Sequence, residues 1–207
     1  FFPARRSPKP RTRTFPRRIR AHARSPRAAR GPVMKWVFGY GSIIWRPSFP
    51  YIEVRPALIR GWRRRFWQGS PDHRGTPERP GRVVTLVADP RAVCHGLAFD
   101  TGDHDTPEII ESLDVRESGG YVRLTVDVEF ADGTRTAAMT YVAPPDNRNF
   151  LGPAALDDVV RQVAASAGAS GHNTEYVLKL AQALRELEIV DDEVHLLESR
   201  LRTYVDP

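Results

Sequence analysis

The chain has 207 residues, 41% hydrophobic and 27% charged, which is room for one globular core, and no apolar stretch approaches the roughly 20 residues that span a membrane. Its formal net charge of +6 is uneven: residues 1–33 hold 11 Lys/Arg and no acid, and taking those 11 from the total of 31 leaves 20 basic against 25 acidic residues, a balance of −5. A remainder of that sign argues against nucleic-acid binding, and the single cysteine, Cys94, excludes an intrachain disulfide and favours a reducing, cytoplasmic compartment.

Residues 1–33 are rich in Arg, Pro, Ala and Ser and lack hydrophobic periodicity, so this tail is expected to be disordered. Its basic, acid-free composition suits a transit peptide, but Pro3, Pro8, Pro10, Pro16, Pro26 and Pro32 would break an amphipathic helix. The sequence starts at Phe1, and Met34 directly precedes the first strand-like run. The expectation is that the native protein starts at Met34 and that residues 34–207 form a single domain. The tail would then be upstream sequence from a GC-rich reading frame. A native peptide from before Met34, found by mass spectrometry, would overturn this. If the tail is translated, salt-sensitive nucleic-acid binding lost on its removal is the competing reading.

The first predicted element is a short buried strand, Trp36-Val37-Phe38, broken by Gly39-Tyr40-Gly41-Ser42 before apolar character resumes at Ile43. Two glycines around a tyrosine allow a tight turn whose N–H groups point at a ligand, although an ordinary strand-end turn has the same pattern. Residues 52–67 read as strand. Period-2 alternation puts Trp62, Arg64 and Phe66 on one face and Arg63, Arg65 and Trp67 on the other, with substrate-carboxylate binding as an alternative use of one arginine. Residues 69–81 read as loop. Arg82 to Ala88 and Val93 to Phe99 read as two strands of a hairpin-like pair separated by Asp89-Pro90-Arg91. Cys94 in the second run reads as a small buried hydrophobe, not a nucleophile.

Thr106 to Glu117 is predicted as a short helix, with Thr106 as cap, Pro107 in the first turn and Gly119-Gly120 as its end. Strict alternation from Tyr121 to Phe130, a turn at Asp132-Gly133 and a return over Thr134 to Val142 predict a β-hairpin. A long loop over Pro144 to Pro153 leads to three helices, about Ala154–Ala167, Thr174–Leu187 and Asp191–Thr203. Strands first and helices last indicate α+β rather than alternating α/β.

One carboxylate stands out. Ile110 and Leu113 define an apolar face, and Glu117, seven and four residues further on, falls on it. It also lies in the last turn, where the helix dipole disfavours negative charge, so burial and dipole both raise its pKa. The alternative is a helix that ends early, with Glu117 in solvent beside Arg116. No metal site is expected: His104 in Gly102-Asp103-His104-Asp105 lacks further spaced partners. No GxxxxGK or GxGxxG loop implies a nucleotide, and no cofactor is called for.

Several stretches occur together in one order: Trp36–Trp45, Arg65–Ser70, Asp72–Gly75, Pro80–Leu86, Asp114–Tyr121, Leu151–Ala154 and Gly171–Tyr176. Over about Lys35 to Tyr176 the chain thereby resembles the ChaC-like γ-glutamylcyclotransferases, the glutathione-degrading branch of their superfamily. The resemblance implies a small, mostly antiparallel β-barrel flanked by helices, with a helical C-terminal segment. It implies a small-molecule substrate: glutathione cleaved to 5-oxoproline and Cys-Gly, with Glu117 matching the family's catalytic glutamate. It further implies that Gly39, Tyr40, Gly41, Ser42 and Ile43 bind the γ-glutamyl group, with Tyr121 and Tyr141 as secondary pocket residues. Ile43 replaces a frequent Leu and Ser118 a usual Lys or Ala. A cyclotransferase for other γ-glutamyl peptides or amines, and a non-catalytic regulatory protein on the same barrel, are the competing expectations. The role of His73 and the oligomeric state are not legible.

Overall fold

Strand β1 (Trp36–Gly39) alternates its side chains between two cores, which explains the layering of the whole molecule. Val37 packs with Phe99, Met139, Ile109 and Leu113, whereas Phe38 packs with Val126, Val128 and Ala138. The first set lies between barrel and helix, the second inside the barrel. The computed structural model describes residues 34–102 and 106–205. The basic tail and the His104 loop lie outside the described residues, as does the side chain of Thr106, the expected cap.

The long strands β2 (Glu53–Ser70) and β3 (Gly81–Asp100) pair antiparallel, and the hairpin β4 (Val122–Phe130) and β5 (Arg135–Val142) pairs with β2 through β4. β1 pairs antiparallel with β3 and parallel with β5, so the order β1-β3-β2-β4-β5 closes into a barrel. Closure leaves no open edge, and the barrel is mostly antiparallel as expected, with one parallel seam between β1 and β5. Helix α1 (Thr106–Arg116) covers one side. Helices α2 (Leu156–Ala165), α3 (Asn173–Glu186) and α4 (Asp192–Val205) follow the barrel, and Val163, Val177, Leu180, Leu184, Leu197 and Leu201 join the interior cluster. A small ladder, β6 (Ala167–Gly168) with β7 (Gly171–His172), links α2 to α3.

One expected turn is absent. Asp89-Pro90-Arg91 does not divide two strands, because β3 runs unbroken through it. The register against β2 jumps there instead: Arg60 faces Val93 and Trp62 faces Ala88, so Gly61 alone opposes Asp89 to Ala92. Gly61 takes φ +80°, and Pro90, which has no N–H to offer a ladder, sits in the irregularity that needs none. The second register shift sets Phe66 and Trp67 against Val84, between the pairs Arg65–Thr85 and Gln68–Val83. It is a one-residue bulge, and it lies beside the site described next.

The arginine triplet divides as its alternation predicts. Arg64 is buried, while Arg63 and Arg65 reach outward to Asp89 and Glu193. All three are spent on protein partners, which removes the carboxylate-binding alternative for them. Cys94 is buried, and burial pushes its thiol pKa up, in keeping with a packing role.

Candidate active site

The glycine turn at the end of β1 coils into a single 3-10 turn, Ser42–Ile44, whose opening N–H groups receive no side-chain cap. Such groups have no partner within a helix and face whatever lies beyond its start. Gly41 must be glycine for closeness: a Cβ there would stand 2.9 Å from Val84 Cγ2 and 3.2 Å from Tyr176 Oη. Gly39 lines neither of the cavities described below; the space a side chain would need is filled by Ile43, whose Cγ2 lies 2.6 Å from the Cβ position. Ile43 itself is buried in the cluster under α1, so it can offer the site only backbone.

Helix α1 delivers the carboxylate. Its buried residues Ile109 and Leu113 are spaced four apart, Glu117 is the next residue on that line, and the Glu117 N–H still bonds the Leu113 carbonyl at 2.8 Å. The side chain of Glu117 is only 16% exposed, so the solvent-facing alternative does not hold. Burial raises its pKa, the neighbouring Arg116 pulls it back, and Asp72 adds a further push upward. Arg116 sits 3.3 Å from Glu117 Oε1, and its other donors are spent on Ser42 Oγ at 2.8 Å and on the carbonyls of Arg46 and Pro47. One guanidinium thus joins the end of α1 to the glycine turn.

Beyond α1 the backbone is pinned by amides. Gln68, fully buried, and Asn149 both donate to the Gly119 carbonyl, at 3.1 and 2.7 Å, and Gly120 follows at φ +109°. Tyr121 then enters the bulge. Its hydroxyl donates to the Val84 carbonyl at 2.7 Å, while the Val84 N–H donates to the Tyr176 hydroxyl at 3.4 Å. The bulge opposite Val84 opens the ladder, and two tyrosines take its place. Burial raises the pKa of both, so both are neutral at ordinary pH.

Two cavities meet here. An inner one, about 40 Å³, is bounded by the Tyr40 to Ile43 turn and by Thr140 and Tyr141. An outer cleft, about 220 Å³, runs between Trp45, Arg46 and Ser48 and the Ser70 to Arg74 loop. Ser42, Glu117, Tyr121 and Tyr176 line both. The expected Tyr40, Gly41, Ser42, Ile43, Glu117, Tyr121 and Tyr141 are therefore brought together. The tyrosine hydroxyls are largely committed: Tyr40 donates to the Tyr141 carbonyl at 2.6 Å, and Tyr141 to Asp114.

Among the site residues that carry no expectation from sequence are Arg116, Gln68 and Tyr176. Each stands within a stretch that carries the family resemblance, Asp114–Tyr121, Arg65–Ser70 and Gly171–Tyr176, which is the signal the sequence offers for them. His73 lines the outer cleft, with Nδ1 3.2 Å from Ser170 Oγ. Among the described residues no group of three His, Cys, Asp or Glu side chains is placed to hold a metal, and no helix is long and apolar enough to cross a membrane.

A closed five-strand barrel with a carboxylate beside a glycine turn defines a protein of the γ-glutamylcyclotransferase fold. The crystal structure of a selenomethionine-labelled γ-glutamyl cyclotransferase specific to glutathione from yeast superposes with a TM-score of 0.78 at 32% identity, covering 82% of this chain and 96% of that one. The chain belongs to the family described as ChaC-like protein, whose model matches residues 35–204. The glutathione-specific γ-glutamylcyclotransferase 1 of Danio rerio is 41% identical over 179 residues, spanning 83% of this chain and 91% of that protein. The Homo sapiens protein of the same name is 41% identical over 167 residues, spanning 79% and 75%.

Proposed function

We propose that this protein cleaves glutathione to 5-oxoproline and Cys-Gly. The observation that carries the reading is the buried, pKa-raised carboxylate of Glu117 at the meeting point of a small inner pocket and a larger outer cleft. The inner pocket takes the γ-glutamyl group against the glycine turn, and the outer cleft takes the departing dipeptide. Relatives named for glutathione-specific cyclotransfer support the substrate.

The reaction needs no enzyme nucleophile. Glu117 accepts a proton from the substrate's α-ammonium, and the freed amine attacks the γ-carbonyl carbon to close a five-membered ring. The carbonyl oxygen gains negative charge, which N–H groups of the Gly41 to Ile43 turn stabilise. The bond from the γ-carbon to the cysteine nitrogen then breaks as Glu117 returns its proton to that nitrogen. The ionised Glu117 takes the second proton from the ring nitrogen and passes it to the released amine, so that Cys-Gly leaves as an ammonium and Glu117 ends as it began. One carboxyl of raised pKa serves as base and then acid, a contribution of roughly 10²–10⁴-fold. Holding the glutamyl chain bent in a tight pocket supplies proximity.

Ser42 is a ligand here: its oxygen accepts from Arg116, leaving its own proton for the substrate. Tyr176 likewise uses only its oxygen with Val84 and keeps a proton to donate. Tyr40 and Tyr141 shape the pocket wall. A thiol substrate and one buried cysteine fit a cytoplasmic site of action.

The test is incubation of the protein with millimolar glutathione, with 5-oxoproline and Cys-Gly followed by mass spectrometry and Glu117→Gln in parallel. Both products from wild type alone support substrate, reaction and base together. Well-folded wild type that forms neither would redirect the search to other γ-glutamyl peptides and amines.

A further inference from the structure

The outer cleft holds three arginines, Arg46, Arg74 and Arg116, and two of them are spent. Arg116 serves Ser42, Glu117 and two carbonyls, and Arg74 donates to Glu175 and to the His172 carbonyl. The Arg46 guanidinium has no hydrogen-bond or ion-pair partner among the described residues, although its backbone is held firmly. Its N–H bonds the Ser42 carbonyl at 2.9 Å and its carbonyl receives Arg116. Its neighbours are anchored on both sides: Trp45 meets Tyr176 edge-on at 5.4 Å, and the buried Phe49 meets Phe99 at 5.6 Å. Between these anchors Ser48 adopts φ +59°, a left-handed conformation that a non-glycine residue keeps only where its surroundings enforce it. The segment therefore presents a free cation from a constrained backbone.

We propose that Arg46 binds the C-terminal carboxylate of the departing dipeptide and so selects glutathione over γ-glutamyl compounds that lack this group. The proposal rests on the cyclotransferase reading and assigns the outer cleft a chemistry. The Cys-Gly half of the substrate is a short peptide with one negative charge at its far end. Once the γ-glutamyl group fills the inner pocket, that end must run out along the cleft, past Asp72 on one wall. A carboxylate there is repelled by Asp72 and Glu117 and needs a cation, and Arg46 is the one whose donors are unspent. A guanidinium also matches a carboxylate in two-point geometry.

The experiment compares glutathione with its glycine monoethyl ester, in wild type, Arg46→Gln and Arg46→Lys, reading both kcat/KM for 5-oxoproline formation and Kd by calorimetry. Wild type is expected to prefer the free acid by about tenfold or more, the range of a charge-assisted hydrogen bond. Arg46→Gln should bring that ratio to about twofold or less, and Arg46→Lys should restore part of it. A wild type indifferent to the ester, or an Arg46→Gln protein that keeps the full preference, overturns the subsite while leaving the reaction intact. Absence of 5-oxoproline from both compounds overturns the reaction. The subsite is then judged on Kd alone: the same Arg46-dependent loss of preference supports it, and equal or undetectable binding overturns it.

Discussion

The Nε–H of Arg64 donates to the carbonyl oxygen of Tyr40 across 2.8 Å, tying the interior of β2 to the glycine turn. The same guanidinium pairs with Asp191 and donates to the His95 carbonyl at 2.6 Å. Asp191 caps α4, its Oδ1 accepting the Val194 N–H at 3.1 Å. Removing one partner of a buried ion pair costs about 3–5 kcal/mol, because the other charge is left without compensation. Arg64→Met is expected to lower stability by about that amount and to cut turnover by loosening Tyr40. An unchanged urea midpoint would show that the pair is dispensable.

Glu117→Gln keeps the size and much of the packing of the side chain but removes the proposed base. The variant should fold and lose turnover by roughly 10²-fold or more. Glu111→Gln, on the exposed side of α1, should leave turnover near wild type. A well-folded, active Glu117→Gln protein would move the chemistry to another group.

The raised pKa of Glu117 has a defined sign in both activity and stability. As the proposed base, Glu117 must be ionised, so kcat/KM should rise with pH through a value above the ordinary glutamate range. Between the unfolded and folded pKa values the native state binds the extra proton, so this group's contribution to stability is complete below its unfolded pKa and lost as pH rises through the folded one. Glu117→Gln should therefore be the more stable protein at about pH 8, with the difference vanishing near pH 4, close to the unfolded value. A gap that widens on acidification would show that Arg116 outweighs burial.

Tyr176→Phe removes a hydroxyl that faces both cavities and accepts the Val84 N–H. A single neutral hydrogen bond is worth about 0.5–1.5 kcal/mol, so kcat/KM should fall by about tenfold or less with little change in melting. A loss confined to Tm would make the residue structural only.

Leu113 is 1% exposed and anchors the face of α1 that carries Glu117. Leu113→Ala should cost about 2–5 kcal/mol in stability. If α1 loosens as a unit, hydrogen exchange near Glu117 should accelerate more than in β4.

Local signals in the sequence were faithful where structure is local. The hairpin around Asp132-Gly133 follows from strict alternation, and Glu117 follows from the four-residue spacing of a helix, although the buried pair proved to be Ile109 and Leu113, with Ile110 half-buried. Asp89-Pro90-Arg91 misled because a turn triplet and a bulge have the same composition; only the register of the opposite strand, with Gly61 at φ +80°, distinguishes them. Arg64 inside the barrel, and Arg116, Gln68 and Tyr176 around Glu117, were illegible as site residues because their roles come from partners far along the chain.

The parallel seam between β1 and β5 has a temporal consequence. Thr140 reaches the Phe38 carbonyl and Tyr40 reaches the Tyr141 carbonyl across 102 and 101 residues of chain. Loop closure over such separations places the fold among slow, high-contact-order topologies. During synthesis at about 5–20 residues per second, the glycine turn waits roughly 5–20 s for its partners to be made. Until β5 emerges, Val37 and Phe38 can pair with β3 alone, so β1 keeps one open edge and the barrel stays unclosed, and through that interval the nascent chain is most exposed to aggregation and most dependent on chaperone shielding.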